Sequence, residues 1–388
     1  MLHSRQEIDQ AVSRSRLPQL WGGLLYLVIL IVFLEVALQA FYWITAGDFL
    51  FRRSGVPIYA REPHAGFGNR PGLSFDHRTS EFHTRYYVNQ AGFRVPRPEL
   101  EYTLSKSDNT YRVMILGPSF AYGWGVEYEQ SFAGVLHRLL QERSFARERK
   151  VEIINAGVPA MPTGAQVSWF KRVGKGYVPD LVIQLVYGSM AIHDTRNSDA
   201  DVDDSGYLVS LSGYVGPRRY DSLKKFATVF YGWLLWSKLH SLYAPAHTGE
   251  GDAVLGAGRE ILVPPEFDPA HPVIRQAMHV YAELSGSVQA AGARLLVVYV
   301  PLSYLIHRED EIRWRHLGVR DIARQTAFDA SFVHHLNQSK IPSIDLTPHL
   351  QKSADMGKRI YFWLDIHWTA AGNAAAARAV ADYLTGAP

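Results

Sequence analysis

The chain has 388 residues, enough for about two to three domains at roughly 150 residues each. Apolar residues make up 47% and charged residues 20%, which excludes wholesale disorder, and a net charge of +3 is far from the composition of a nucleic-acid-binding protein. There is no cysteine, so disulfides, thiolate zinc sites, cysteine nucleophiles and cysteine-ligated iron–sulfur clusters are all excluded.

Residues 1–19 form a short tail. Residues 20–44, LWGGLLYLVILIVFLEVALQAFYWI, are apolar enough and long enough to cross about 30 Å of hydrocarbon. Trp21 and the Tyr42–Trp43 pair sit near the two ends, where interfacial aromatics belong. The expectation is a retained anchor through the lipid bilayer. A cleaved signal peptide needs a shorter apolar run and a small residue where Leu38 stands. Glu35 interrupts the run past its middle, and a carboxylate there is costly. One reading of it is a contact with a partner membrane protein. Arg5, Arg14 and Arg16 before the span balance Arg52, Arg53 and Arg61 after it, so charge does not set the orientation. A single leading span usually exports the domain C-terminal to it, which puts the large domain outside the cytoplasm.

Residues 45–110 are rich in Gly, Pro, Arg and aromatics without a sustained period, and read as a connector packing on the next domain. From residue 111 to 388 short apolar β-branched runs alternate with helical stretches. The runs are Arg112–Leu116, Val151–Asn155, Leu181–Tyr187, Arg294–Val300 and Ile341–Asp345. The helical stretches fall at about 130–146, 163–175, 271–291, 320–338 and 369–385. Nearly continuous apolar strands alternating with helices predict a three-layer α/β/α fold around a parallel five-stranded sheet. Binding sites in such sheets form at the C-terminal strand ends.

An insertion at about 195–268 breaks the alternation. Its acidic opening, Asp199 to Gly206, faintly resembles a calcium loop, but Ser212 stands where the bidentate glutamate belongs, so it reads as a turn leading into a hairpin. The stretch Leu223–Tyr243 is heavily aromatic. Three roles are open for it: capping the core, lying on the bilayer, or covering the active site.

Ser119 follows the first strand in Gly117-Pro118-Ser119, on a tight Gly-rich turn that exposes its oxygen above the sheet. Asp365 and His367 share one loop before the last helix, for which Thr369 is a suitable N-cap. A carboxylate two residues from an imidazole fixes its tautomer, and the topology brings that pair to the same sheet edge as the serine, the arrangement of an activated nucleophile. Sixteen histidines form no metal-binding pattern, His334 and His335 point apart on a helix, and no Lys-Ser/Thr completes a phosphate loop. No cofactor, metal or nucleic acid is expected. His193 and Asp194, after the third strand, either line the pocket or cap a turn.

These segments together resemble the SGNH (GDSL-type) hydrolases, in particular their membrane-anchored bacterial members. Gly117-Pro118-Ser119 with Gly123-Trp124-Gly125-Val126 looks like the first block, Asn155-Ala156-Gly157-Val158-Pro159-Ala160 like the second, Pro179-Asp180-Leu181 to Gly188 like the third, and Asp365 with His367 like the fifth. Val88-Asn89-Gln90-Ala91-Gly92-Phe93-Arg94 is similar to the segment preceding the first block. The resemblance implies a flavodoxin-like fold and a catalytic set of Ser119, His367 and Asp365. It also implies an oxyanion pocket around Ala160, Ser189, Gly188 and Gly157. Departures accompany it. The family's Asp before the serine is Pro118, its second-block glycine is Ala160, and its third-block Asn is replaced by Met190 or Ser189 depending on register. The expected activity is that of an extracytoplasmic serine esterase or O-acyltransferase acting on an acylated glycan, with O-acetyl groups of an envelope or exported polysaccharide as first choice. A lipid esterase and a catalytically degenerate glycan-binding or scaffolding module are the alternatives. Tyr122 and Trp124 suit either sugar stacking or packing.

Overall fold

The computed structural model describes residues 3–46, 49–52, 56–79, 81–188, 190–193, 267–311 and 322–386, and parts of 200–210 and 223–236. Ser189, Asp194, Ser212 and most of the insertion lie outside the described residues. The chain divides into two compact units, Met1–Ser54 with Pro217–His247, and Gly55–Gly216 with Thr248–Pro388.

The first unit is built on helix α1 (His3–Ala46). Its stretch Trp21–Ile44 is long and apolar enough to cross a membrane and is almost wholly exposed. Past the helix end the chain turns back, and the Leu50 amide donates to Gln39 Oε1 at 3.1 Å. Tyr42, Leu50 and Ala227 are buried together against Leu38, Phe230 and Tyr231, so part of the aromatic insertion packs on α1.

The second unit is the α/β domain. Strands β1 (Tyr59–Glu62) and β2 (Gly66–Asn69) form an antiparallel hairpin. Strands β3 (Ser74–Arg78), β4 (His83–Val88) and β5 (Arg94–Val95) come after it. Next come β6 (Thr110–Leu116), α2 (Ser119–Tyr122), α3 (Phe132–Glu142), β7 (Lys150–Asn155), α4 (Thr163–Arg172), β8 (Leu181–Tyr187) and α5 (Met190–His193). A short antiparallel hairpin, β9 (Ala200–Val202) and β10 (Leu208–Ser210), occupies the acidic segment, where Arg61 binds the Asp201 carboxylate at 2.8 and 3.1 Å. The chain closes with α6 (Pro272–Ala290), β11 (Arg294–Val300), α7 (Ile322–Gln338), β12 (Ser343–Asp345), α8 (Thr347–Asp355) and α9 (Ala370–Thr385).

The main sheet runs β12-β11-β8-β6-β7-β5-β4-β3. Its first five strands are parallel, as the alternation predicts, with Val113 opposite Leu181 and Ile115 opposite Asn155. Among the described residues the sheet is nevertheless eight strands wide. Residues read as a connector supply β3 to β5, which extend it antiparallel through the pair Arg94 and Asn155. Their signal is weak because the strands are short and separated by Gly- and Pro-containing turns. In β4 the alternation is still visible: Thr84, Tyr86 and Val88 point in, His83 and Arg85 point out.

One core lies on each sheet face. Residues of α3 and α9 pack on one, those of α4, α6 and α7 on the other. The alanines of α9 (Ala375, Ala376, Ala377, Ala379 and Ala381) are buried, and their small size lets the helix approach the core closely. Parallel strand order reverses at β6, which lies between β7 and β8. The C-terminal edge there is the place for a site.

Candidate active site

Ser119 opens α2 directly beyond β6. Gly117 makes the turn possible: its φ is +146°, and a Cβ there would come within 2.9 Å of the Leu185 carbonyl oxygen. Pro118 occupies the N-cap position, and its carbonyl accepts from the Tyr122 amide at 3.1 Å. As the first residue of the helix, Ser119 carries a backbone N–H that has no intrahelical acceptor.

Arg94 holds the loop after the nucleophile in place. It is fully buried, donates to the carbonyls of Tyr122 (2.5 Å), Gly123 and Val126 (2.6 Å), and lies over the rings of Tyr86 and Tyr122 at 4.8 and 4.9 Å. Three carbonyl acceptors and two ring faces compensate a charge that would otherwise be costly to bury. Asn155 adds a second tie, donating to Ala121 O at 2.9 Å while accepting from the Gly157 amide at 3.0 Å.

Asp365 and His367 sit on a tight loop. Tyr361 pairs with Trp368, and the Phe362 amide donates to His367 O at 3.0 Å. Thr369 caps α9, its hydroxyl accepting from the Gly372 amide. His367 Nε2 lies 2.5 Å from Ser119 Oγ, and His367 Nδ1 is bonded to Asp365 Oδ1. Asp365 Oδ1 also accepts the His367 backbone amide at 2.9 Å. Burial by itself raises the Asp365 carboxyl. The adjacent His367 charge, the hydrogen bonds from its ring and amide, and one from the Trp124 side chain outweigh it and hold the carboxyl at about 2. Asp365 is therefore an acceptor at neutral pH. It fixes the proton on Nδ1 and leaves Nε2 facing the serine.

Two further residues complete this arrangement: Trp124, left open in the sequence between sugar stacking and packing, and Glu81, which the sequence does not mark. Trp124, besides bonding Asp365, places its ring 5.5 Å from the His367 ring and edge-on to His77 at 4.7 Å. Tyr122 is buried and packs on Tyr86, so it is not available to stack on a sugar. Glu81, between β3 and β4, accepts the backbone amides of Trp363 (2.5 Å), Leu364 (2.7 Å) and Asp365 (2.7 Å). One carboxylate thus gathers three successive N–H groups of the loop that carries Asp365 and His367. Burial pushes the Glu81 carboxyl up, with the Asp365 charge adding to it, while the three amides pull it down. No spacing or period in the sequence marks Glu81, because its partners are backbone groups some 280 residues away.

The amides of Gly157 and Gly188 are engaged, by Asn155 Oδ1 and by Val300 O at 2.9 Å. Ala160 lies in the cleft wall with φ +62°. Met190 begins α5, and Ser189 lies outside the described residues. The cleft holds about 290 Å³ and is lined by Ser119, His367, Tyr59, Gln166, Tyr187 and mainly apolar neighbours. Among the described residues no group of three or more acidic or histidine side chains is arranged to hold a metal ion.

Residues 259–388 match the family described as "SGNH hydrolase-like domain, acetyltransferase AlgX". The matched stretch contains Asp365 and His367 and begins well after Ser119. Over that stretch the chain is similar to an SGNH hydrolase-like domain, in keeping with the motifs in its sequence. No curated protein matches the chain in sequence. Among solved structures it is similar to LAE5, an alpha/beta hydrolase enzyme from the metagenome of Lake Arreo, Spain, at 14% identity and TM-score 0.39, over 73% of this chain and 98% of that one. It is also similar to Est24, a carbohydrate acetylesterase from Sinorhizobium meliloti, at 14% identity and TM-score 0.37, over 71% and 99%. A third is a catalytic mutant of Axe2, an acetylxylan esterase from Geobacillus stearothermophilus, at 12% identity and TM-score 0.37, over 73% and 96%.

Proposed function

We propose that the protein is a membrane-anchored serine esterase or O-acyltransferase whose catalytic residues are Ser119, His367 and Asp365. The observation that carries this reading is the hydrogen bond between Ser119 Oγ and His367 Nε2 at 2.5 Å, with Asp365 on the far side of the ring. A module that had lost its chemistry would have no need to keep these three groups in contact.

In the reaction, His367 Nε2 accepts the Ser119 proton as Oγ attacks the ester carbonyl, and Asp365 stabilises the imidazolium that forms. The amides of Ser119 and Ala160 receive the oxyanion. Collapse of the tetrahedral species breaks the ester C–O bond, and the leaving alcohol takes the proton from His367. His367 then deprotonates a second hydroxyl, which attacks the acyl-serine and regenerates Ser119. Water as acceptor makes an esterase, and a sugar hydroxyl makes an acyltransferase.

We assign a short acyl group to the cleft. At about 290 Å³, walled in part by Leu185, Val186 and Ala191, it has room for an acetyl group together with part of the sugar that bears it. An O-acetylated glycan is the substrate class we assign; the apolar α1 supports attachment to a membrane, and an α/β domain outside the cytoplasm rests on the usual role of a single leading span. Hydrolysis of 4-nitrophenyl acetate beside 4-nitrophenyl palmitate tests the reading. Acetate release, absent in Ser119→Ala and His367→Ala, is expected; a preference for the palmitate would reject the short-acyl assignment.

A further inference from the structure

Glu35 stands inside the apolar stretch of α1 and its carboxylate is fully occupied. It accepts from the backbone amides of Ala227 (2.7 Å) and Thr228 (2.8 Å), from Thr228 Oγ1 (2.8 Å) and from Gln39 Nε2 (2.9 Å). Gln39 Nε2 also reaches the Lys225 carbonyl at 2.9 Å. These bonds fix the position of residues 225–228 along α1. At about 1.5 Å per residue, Glu35 lies about 21 Å from Trp21 and about 13 Å from Ile44, well within the apolar length.

The segment so attached is apolar on both faces. Ala227, Phe230 and Tyr231 face α1, with Phe230 against Tyr42 at 6.1 Å and Tyr231 against Phe41 at 6.0 Å. The other face carries Phe226, Val229, Leu235 and Trp236, which are 53%, 40%, 59% and 67% exposed. From Phe226 to Trp236 the sequence FATVFYGWLLW contains no charge, and Lys225 and Lys238 bracket it. Eleven residues are too short to span a bilayer and match a re-entrant or interfacial segment.

We propose that residues 226–236 are seated in the lipid bilayer beside the N-terminal span, with Glu35 as the anchor that holds them there. This rests on the reading of Trp21–Ile44 as a membrane span. Lipid acyl chains are the occupant because the exposed face continues the exposed apolar surface of α1, and because the Glu35 bonds hold it at membrane depth. The arrangement also accounts for a carboxylate in an apolar span: its oxygens are satisfied from within the chain, by the donors that begin the second segment.

The chain has no cysteine, so single labelling sites are available without background. Full-length protein carrying Val229→Cys, Leu235→Cys, Ile31→Cys or Glu129→Cys is labelled with an environment-sensitive nitrobenzoxadiazole dye. It is then placed in vesicles of equal parts phosphatidylcholine and phosphatidylglycerol. Nitroxides on the acyl chains should quench positions 229 and 235 as they quench 31, whereas position 129 stays open to aqueous iodide. Quenching at 31 with water-like behaviour at 229 and 235 overturns the proposal and leaves the span standing. Water-like behaviour at all four overturns both. Protection from iodide at 229 without nitroxide quenching means that a protein covers the face, which also overturns it. Adding Glu35→Ala to Val229→Cys should abolish quenching at 229 and leave that at 31 in a parallel variant; unchanged quenching at 229 would reject the anchoring role of Glu35.

Discussion

Replacing Glu81 by alanine removes the side chain that hydrogen-bonds the β3–β4 turn to the Asp365–His367 loop, and leaves Phe82 packed on Phe362 at 5.2 Å. The lost interactions are three backbone N–H bonds to a carboxylate, at 2.5 to 2.7 Å. A hydrogen bond to a charged group contributes about 1.5–3 kcal/mol, but Trp363 and Leu364 are exposed, so water replaces much of the loss and the net cost to stability is about 1–2 kcal/mol. The larger effect falls on rate. A misplacement of about 1 Å in a reacting group costs on the order of 100-fold, and a loosened His367 approaches that. For Glu81→Ala we expect kcat for 4-nitrophenyl acetate to fall about 10- to 100-fold with KM little changed, equivalent to about 1.4–2.7 kcal/mol of activation free energy. Glu81→Gln keeps an acceptor oxygen but sets its NH₂ against an amide donor, so it should recover part of the rate. A kcat within about twofold of the parent in Glu81→Ala, with normal folding, would show that Trp124 and the Phe362–His367 bridge hold the loop unaided, and would refute the reasoning.

Two further predictions concern the backbone and pH. Ala160→Gly relieves a left-handed alanine at φ +62° and should raise stability to urea by about 0.5–1 kcal/mol; a decrease would mean that the methyl packs favourably enough to offset the strain. His307 is held below its usual range by burial and by Arg359, against the opposing pull of Glu309 and Asp310, and its Nε2 accepts the Ile360 amide at 3.1 Å. The unfolded chain therefore takes up a proton near pH 6.5 that the folded one resists, so this stability is present above about pH 6.5 and lost as pH falls through it. Urea midpoints measured from pH 8 to pH 5 should decline on the acid side, and His307→Gln should flatten that decline. An equal decline in the variant would place the titration elsewhere.

The parallel half of the sheet was legible because each strand is an apolar run buried on both faces, and the helix after Thr369 because its cap is local. The candidate serine and the Asp-x-His loop were legible for a related reason: strand ends and helix starts in this topology converge on one edge, so the motifs have defined places. The groups that hold the motifs were not. Arg94 and Glu81 act on backbone carbonyls and amides, which carry no residue identity, and both come from a stretch whose short strands leave little periodicity. Glu35 stood out as an oddity in an apolar run. Its partners, the amides of Ala227 and Thr228, lie some 190 residues on and could be found only in three dimensions.

The central claim is that Ser119 is a nucleophile activated by His367. Full-length protein exposed to a fluorophosphonate, digested and analysed by mass spectrometry, tests it most directly. The account predicts an adduct on the peptide containing Ser119, absent in Ser119→Ala and strongly reduced in His367→Ala. No adduct on folded parent protein, or one as abundant in His367→Ala, would contradict it.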